Sequence, residues 1–364
     1  MFLNSSRIGV WNLCRRKFFW MYLFRGTGLT GGIKADYFSF GVAVHAGLDA
    51  FYAGKGTAGA LEAAHDALVR EKLGVMGVPL AEWKEEEEFL ARLLTEYFKE
   101  GMKQDDFTVV NTERDFVVPL GEVCYACGRE YGFSSFDPTA PVTACLGCSA
   151  EIHYWVGRTD LDVNRNGHLA IVDHKTTSST PSDEFLAPFG TSFQLLGYVY
   201  GRGKSSGCNI ESFGVNALQK AATVGLPQAE TKACPICRAG KIKMLTCTAC
   251  NATGRVEKAI KLEPFRRKFF PVVPSDIDRF VLTMHGHIRG MEHEAELFRS
   301  EPEIAYPMND KACKFGPCPF FQHTCWGPQA ATQWHCPDEL QLEGFDPRPA
   351  DYVDLRSILV EETV

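Results

Sequence analysis

The sequence predicts an α/β fold, with a mixed central sheet flanked by helices, two cysteine-bearing insertions and a third cysteine cluster near the C-terminus. Three observations carry this reading. The first hundred residues place apolar side chains at helical spacing, several stretches after Phe107 alternate with the period of a strand, and eight of the fourteen cysteines fall in four C-x-x-C pairs.

Taken in order, SSRIGVWNLCRRKFFWMYLF from Ser5 reads as a helix behind a serine cap, FGVAVHAGLDAFYAG from Phe40 as a second, and LAEWKEEEEFLARLLTEYFKEGM from Leu80 as a long third. The run Glu85–Glu88 reads as a solvated helix face. Strand-like text begins at FTVVNTERDFVVPL and resumes at IHYWVGRTDLDV and HLAIVDHKTT, with the first cysteine block between. DEFLAPFGTSFQLLGYVYG reads as helical and ESFGVNALQ as a strand, and the second cysteine block comes next. FRRKFF then leads into the helix PSDIDRFVLTMHGHIRGMEHEAELF. The expected organisation is a helical part with the first core strand (1–120), an insertion (121–150), a catalytic core (151–222), a second insertion (223–256), a C-terminal strand, helix and cysteine cluster (257–336) and a tail (337–364).

The composition, 45% hydrophobic and 23% charged, is that of a folded soluble chain, and no apolar run approaches the ~20 residues that cross a bilayer. The opening carries its basic residues after its apolar ones, the reverse of a secretory signal, so a cytoplasmic location without membrane contact is expected. There, cysteines point to metal or catalysis before disulfides. A net charge of −7 argues against nonspecific coating of nucleic acid but leaves a nuclease open, because metal ions neutralise catalytic acids.

The chemistry concentrates in AIVDHKTTSS. Period two sets Asp173 and Lys175 on one side of a strand. The preceding NRNG carries Asn-Gly, whose residues tolerate the positive φ of a tight hairpin. With Asn166 and Gly167 in the turn, Arg165 faces His168 and, counting back, Asp160 faces Asp173, while Asp162 faces Ile171. Like charges directly opposite destabilise a sheet, so a cation is expected between Asp160 and Asp173, with Mg²⁺ or Mn²⁺ suiting carboxylate oxygens. Gly41 and His45 share a helix face, and the missing side chain of Gly41 would let that helix approach the sheet. Gln194 and Tyr198 stand one helical turn apart. GRGKSSG is not a phosphate-binding loop, since Tyr198 stands where that motif needs glycine.

These pieces resemble, in order, the motifs of the RecB-type branch of the PD-(D/E)XK nuclease superfamily, over about residues 5 to 325. CRRKFFWMY is similar to its opening C-x-x-x-F/Y helix, Gly41–His45 to G-x-x-x-H, GRTD ending at Asp160 to G-x-x-D, Asp173–Lys175 to D-x-K, and Gln194–Tyr198 to Q-x-x-x-Y. Glu113 in TERDF corresponds more loosely to a first-strand glutamate. The resemblance implies a restriction-endonuclease-like core and metal-dependent hydrolysis of DNA. His45, Asp160 and Asp173 would hold Mg²⁺ or Mn²⁺, Lys175 would face the attacked phosphate, and Gln194 and Tyr198 would orient the lysine or grip the DNA backbone. The implied activity is an exonuclease of recombination, repair or phage DNA processing, acting on ends or single strands, with a helicase or recombination protein as partner. A structure-specific endonuclease and a noncatalytic DNA-binding scaffold are the alternatives.

Cys124, Cys127, Cys145 and Cys148 have the spacing of a four-thiolate zinc site, and Cys234, Cys237, Cys247 and Cys250 form a tighter version. Cys313, Cys318 and Cys325 need a fourth ligand, from Cys14, Cys208 or Cys336. Iron–sulfur exonucleases of the resembled family take one ligand from the first helix, which implies Cys14 and a 4Fe-4S cluster; structural zinc or unligated thiols are the alternatives there.

Overall fold

The computed structural model describes residues 1–24, 28–31, 36–75, 83–132, 137, 142–220, 228–233, 255–260, 264–301, 304–309, 320 and 345–347. The chain opens with β1 (Phe2–Leu3), α1 (Ser5–Leu13), α2 (Arg15–Phe18) and β2 (Leu29–Gly31), followed by α3 (Asp36–Ala50), α4 (Gly56–Val69) and α5 (Lys84–Glu100). Next come β3 (Thr108–Pro119), β4 (Tyr154–Arg165), β5 (His168–Thr177), α6 (Asp183–Leu186), α7 (Phe193–Ser206) and β6 (Ile210–Gln219). The remainder comprises β7 (Gln228–Ala233), β8 (Arg255–Ile260), β9 (Phe265–Pro271), α8 (Pro274–Ser300) and β10 (Phe345–Pro347).

The main sheet runs β1–β4–β5–β6–β9, with β3 on the other edge of β4. It is mixed: β5 and β6 are parallel, joined through α7, whereas the β3–β4, β4–β5 and β6–β9 pairs are antiparallel. Helix α7 lies on one face of the sheet with α8 behind it, and α3, α4 and α5 form a second layer whose core includes Phe40, Leu94 and Leu218. This is the mixed sheet flanked by helices that the sequence predicts.

The Asn-Gly turn forms as expected, but the ladder stops one pair short of the expected Asp160–Asp173 pair, because Asp160 turns its carboxylate to the His174 N–H. Asn166 and Gly167 both have positive φ, 54° and 86°, and the ladder runs from Arg165–His168 to Leu161–Val172. At its far end β4 pairs with β1 at Tyr154 and Trp155. The stretch of β4 from Val156 to Asp160 is thus left without a strand partner on that edge. The sheet opens there, and Asp160 stands at its margin.

Helix α7 is held close to the sheet by two glycines one turn apart. A Cβ on Gly201 would lie 2.1 Å from the Phe116 ring, and one on Gly197 2.5 Å from Trp155. In their absence Trp155 Nε1 donates to Gly197 O at 2.9 Å. A buried pair fastens the same helix to β4, with Arg202 donating to Asp162 at 2.6 Å and Thr159 Oγ1 to the same carboxylate at 3.0 Å.

Four sequence-based expectations need correction. The first long helix breaks at Cys14, which is extended (φ −162°, ψ 112°), as Trp11 and Phe18 turn to meet edge-on at 5.3 Å; its cap is Asn4, which accepts from Arg7 N–H. Helix α4 carries no strong sequence signal, because its buried stripe is mostly alanine (Ala60, Ala64, Ala67, with Leu68) and shows little apolar contrast. The acidic run is only partly solvated: Glu86 pairs with Lys72 at 2.6 Å and Glu87 with His65 at 2.9 Å. A Cβ on Gly41 would sit 3.6 Å from Thr176 Oγ1, an ordinary contact, so the approach of α3 does not depend on glycine there.

Candidate metal centre

The opening between β4 and β5 gathers side chains from five elements. The main-chain N–H of His174 donates to Asp160 Oδ2 at 2.6 Å, which ties the two strands where their ladder ends. From α3, His45 Nδ1 comes within 3.4 Å of Asp160 Oδ1. From β3, Glu113 arrives beside Asp160 through an unusual backbone: its φ is 46°, between the ladder pairs Thr112–Leu161 and Arg114–Thr159. Non-glycine residues adopt this region at a cost of order 1–3 kcal/mol, and here it accompanies the turn of a carboxylate toward the site. His45, Glu113 and Asp160 each offer a ligand atom within 4.8 Å of the others.

Alongside runs a second chain of polar contacts. Lys175 Nζ pairs with Asp173 Oδ2 at 2.7 Å, as their shared strand face predicts. Gln194 Oε1 accepts from Lys175 at 3.4 Å, and Gln194 Nε2 donates to the Tyr198 hydroxyl at 2.8 Å. The ammonium is therefore held between β5 and α7. Asp162, by contrast, is occupied by Arg202 on the other side of the strand end.

Electrostatics separates the carboxylates. Burial opposes ionisation of Asp160, but the adjacent His45 imidazole and the His174 N–H outweigh it and hold the group at about 2. Burial raises Asp173 to about 6 against the pull of Lys175, with the Asp160 charge adding to the rise. Glu113 rises to about 7, first through burial and then through Asp160 and Asp49. Burial works against the charged forms of His45 and Lys175, yet Asp160 and Asp173 respectively leave both raised. Burial is the leading cause of both rises, and the neighbouring carboxylates add to it. A divalent cation such as Mn²⁺ fits the His–Glu–Asp donor set and would favour the ionised carboxylates.

All seven residues singled out from the sequence, His45, Glu113, Asp160, Asp173, Lys175, Gln194 and Tyr198, lie in this region, but they divide differently from the expectation. The three convergent donor groups include Glu113, whereas Asp173, expected beside His45 and Asp160, is engaged with Lys175. Sequence reasoning missed Asp49, one helical turn after His45, and Arg158, which pairs with Asp115 at 2.6 Å and reaches Glu113 at 3.7 Å. The four-residue spacing from His45 was the available signal for Asp49; Arg158 needed the β3–β4 register.

In the first insertion, the two C-x-x-C turns face each other. Cys124 and Cys148 Sγ are 3.6 Å apart, Cys127 and Cys145 3.7 Å, and all four sulfurs lie within 4.8 Å of one another. The Gly147 N–H on its sulfur leads the lowering of Cys145 to about 7. Cys148 moves to about 12: the Ala150 N–H opposes the rise, but the sulfurs of Cys127, Cys124 and Cys145 prevail. The first thiolate thus discourages the next, which a central cation would reverse. Cys234, Cys237, Cys247 and Cys250 lie outside the described residues, as do Cys313, Cys318 and Cys325. Cys14 is buried beside a hollow of about 430 Å³ lined by Trp11, Arg15, His287, Gly290 and Met308. Among the described residues no helix is long and apolar enough to cross a membrane.

The fold and site define an α/β protein in which His45, Glu113 and Asp160 converge where two sheet strands part. A profile of the PD-(D/E)XK nuclease superfamily matches residues 3–252, more than half of the chain, and the protein belongs to that superfamily. No curated protein matches. Among solved structures it is similar to one described as a "Putative exonuclease" from Eubacterium rectale, at 14% identity and a TM-score of 0.41, over 90% of each chain.

Proposed function

We propose that the protein is a divalent-metal-dependent deoxyribonuclease, and that it acts as an exonuclease on DNA ends or single strands in recombination, repair or phage DNA processing. The observation that carries the reading is the convergence of His45, Glu113 and Asp160 beside the Asp173–Lys175 pair, in a chain of a nuclease superfamily. A bound Mg²⁺ or Mn²⁺ would lower the pKa of a coordinated water and offset charge on the scissile phosphate. The chain's own residues supply the rest. His45, Glu113 and Asp160 would hold the ion, with the Asp173–Lys175 pair beside them. Lys175 presents its ammonium to the phosphate oxygens, and Gln194, braced by Tyr198, keeps that ammonium aimed. The cysteine sites would be structural: zinc on Cys124, Cys127, Cys145 and Cys148, zinc on the second cysteine block, and a 4Fe-4S cluster joining Cys14 to Cys313, Cys318 and Cys325. The buried position of Cys14 beside a hollow supports the last of these. A helicase or recombination protein is the proposed partner, and the cytoplasm the proposed location.

End-labelled linear and closed-circular single-stranded DNA, each with Mg²⁺ or Mn²⁺, tests the reading. Degradation from the ends of linear DNA only is expected. Cutting of the circle would replace the exonuclease by an endonuclease, and no cleavage of either by metal-loaded protein would leave a noncatalytic DNA-binding scaffold. Anaerobically purified protein should carry iron and sulfide, lost in Cys14→Ser; colourless protein with zinc in their place would remove the cluster.

A further inference from the structure

His174 sits between Asp173 and Lys175, with its side chain directed away from theirs by strand alternation. It is 2% exposed and begins a row that crosses three strands. The β5–β6 register pairs His174 with Asn216, and the β6–β9 register pairs Asn216 with Arg267. Two residues earlier on the same face, the corresponding row is Val172, Gly214 and Phe269, which is apolar. The polar row thus starts at the residue whose main-chain N–H holds Asp160.

The row is bonded along its length. Arg267 pairs with Asp105 and donates to Tyr97 OH at 2.8 Å and to Asn216 Oδ1 at 3.2 Å. Asn216 Nδ2 meets Tyr97 OH at 2.9 Å and His174 Nδ1 at 2.9 Å. Tyr52, bonded to Tyr97 OH at 2.8 Å, stacks on the imidazole at 5.8 Å between centroids and 12° between planes. These contacts determine a proton position. A guanidinium only donates, so it must meet the amide oxygen of Asn216; the amide nitrogen then faces His174 and only donates; Nδ1 must therefore accept. The neutral ring carries its proton on Nε2, which is buried without a hydrogen-bond partner among the described residues.

We propose that His174 and Asn216 are positioning residues: the row anchored by Arg267 clamps β5 from behind, so that the His174 N–H stays on Asp160 and the carboxylate keeps its place in the cation cradle. Burying polar groups is costly unless they are satisfied, and this row places several of them directly behind the ligand-bearing edge, where outer-shell partners set metal affinity by typically 10- to 100-fold. This rests on the reading of His45, Glu113 and Asp160 as cation ligands.

The experiment is Mn²⁺ binding measured by calorimetry, with ¹⁵N NMR of the histidine rings. Wild-type protein should bind Mn²⁺, and Asp160→Asn should weaken it. Asn216→Leu keeps the approximate size but removes both the donor to Nδ1 and the acceptor for Arg267; it should lower the affinity at least 10-fold. Asn216→Asp sets an acceptor against Nδ1; it should move the His174 ring proton to Nδ1, which restores the bond, and stay within about 3-fold of wild type. His174→Leu should lose as much as Asn216→Leu, whereas His174→Asn, which restores an acceptor for Asn216, should stay within about 3-fold of wild type. Binding by wild type that is weakened by Asp160→Asn but unchanged in folded Asn216→Leu and His174→Leu would overturn the inference alone. A wild-type protein that binds no Mn²⁺ would overturn the metal-site reading and the inference with it. Should the leucine variants fail to fold, equal affinities of Asn216→Ala and His174→Asn would decide against the proposal. A wild-type His174 ring protonated on Nδ1 would do so without any variant.

Discussion

Replacing Glu113 by glutamine should stabilise the protein in the absence of divalent metal while weakening its response to metal. The substitution keeps the length and the amide-or-carboxyl shape at a backbone with φ of 46°, and removes only the charge. The carboxyl rises from 4.5 to about 7 in the folded chain, so folding is linked to its protonation. A carboxyl raised in the folded state contributes stability that is fully present below its unfolded value and is lost as pH rises through its folded value. The window for this loss therefore runs from about pH 4.5 to about pH 7. At roughly 1.4 kcal/mol per pH unit the full difference would be about 3.5 kcal/mol. Because the side chain is 32% exposed and solvent screens it, about 1–2 kcal/mol is the realistic size. Urea denaturation of both proteins at pH 4.5, 6, 7 and 8, in buffers freed of divalent ions by a chelating resin that is removed beforehand, measures it. The two should coincide at pH 4.5 and separate by about 1–2 kcal/mol at pH 8, with the glutamine variant more stable. Added Mn²⁺ should stabilise wild type more and close or reverse the gap. A glutamine variant no more stable than wild type at pH 8 without metal would refute the reasoning that Glu113 is a charge the fold holds against its preference.

Asp173→Ala or Lys175→Ala should abolish cleavage with the fold intact by circular dichroism; full metal-dependent activity in either variant would contradict their assigned roles. Asp162→Ala or Arg202→Met alone should cost about 3–5 kcal/mol by urea melts, because each strands a buried charge, while the Asp162→Leu/Arg202→Met pair should recover most of that. A pair as unstable as the worse single variant would show that the ion pair is not what joins α7 to β4. Gly201→Ala should destabilise by about 1–3 kcal/mol, since its methyl would overlap the Phe116 ring, and Phe116→Leu in the same chain should relieve part of the loss. Cys145→Ser should lower bound zinc by one per chain by elemental analysis; an unchanged zinc content would remove the metal from this cluster.

The hairpin that brings Asp160 to β5 was legible in the sequence because local rules decide it: Asn166 and Gly167 can both take positive φ, and the turn then counts off the antiparallel register. The shared face of Asp173 and Lys175, the one-turn spacing of Gln194 and Tyr198, and the pairing of Cys124 and Cys127 with Cys145 and Cys148 come from equally short-range periodicities. Tertiary structure decided the rest. Glu113 reaches the cradle through a backbone conformation that no residue preference announces, and Asp162 is claimed by Arg202 from a helix forty residues on. Asp173 meets Lys175 from its own strand, whereas His45 and Glu113 come to Asp160 from α3 and β3. The row from His174 through Asn216 to Arg267 is the least local of all. The parallel register of β5 on β6 is set by how α7 crosses the sheet, and β9 reaches β6 only across a long insertion, so no tight turn counts off either pairing. Sequence periodicity determines which way a side chain points from its own strand, and only the packed sheet determines what it points at.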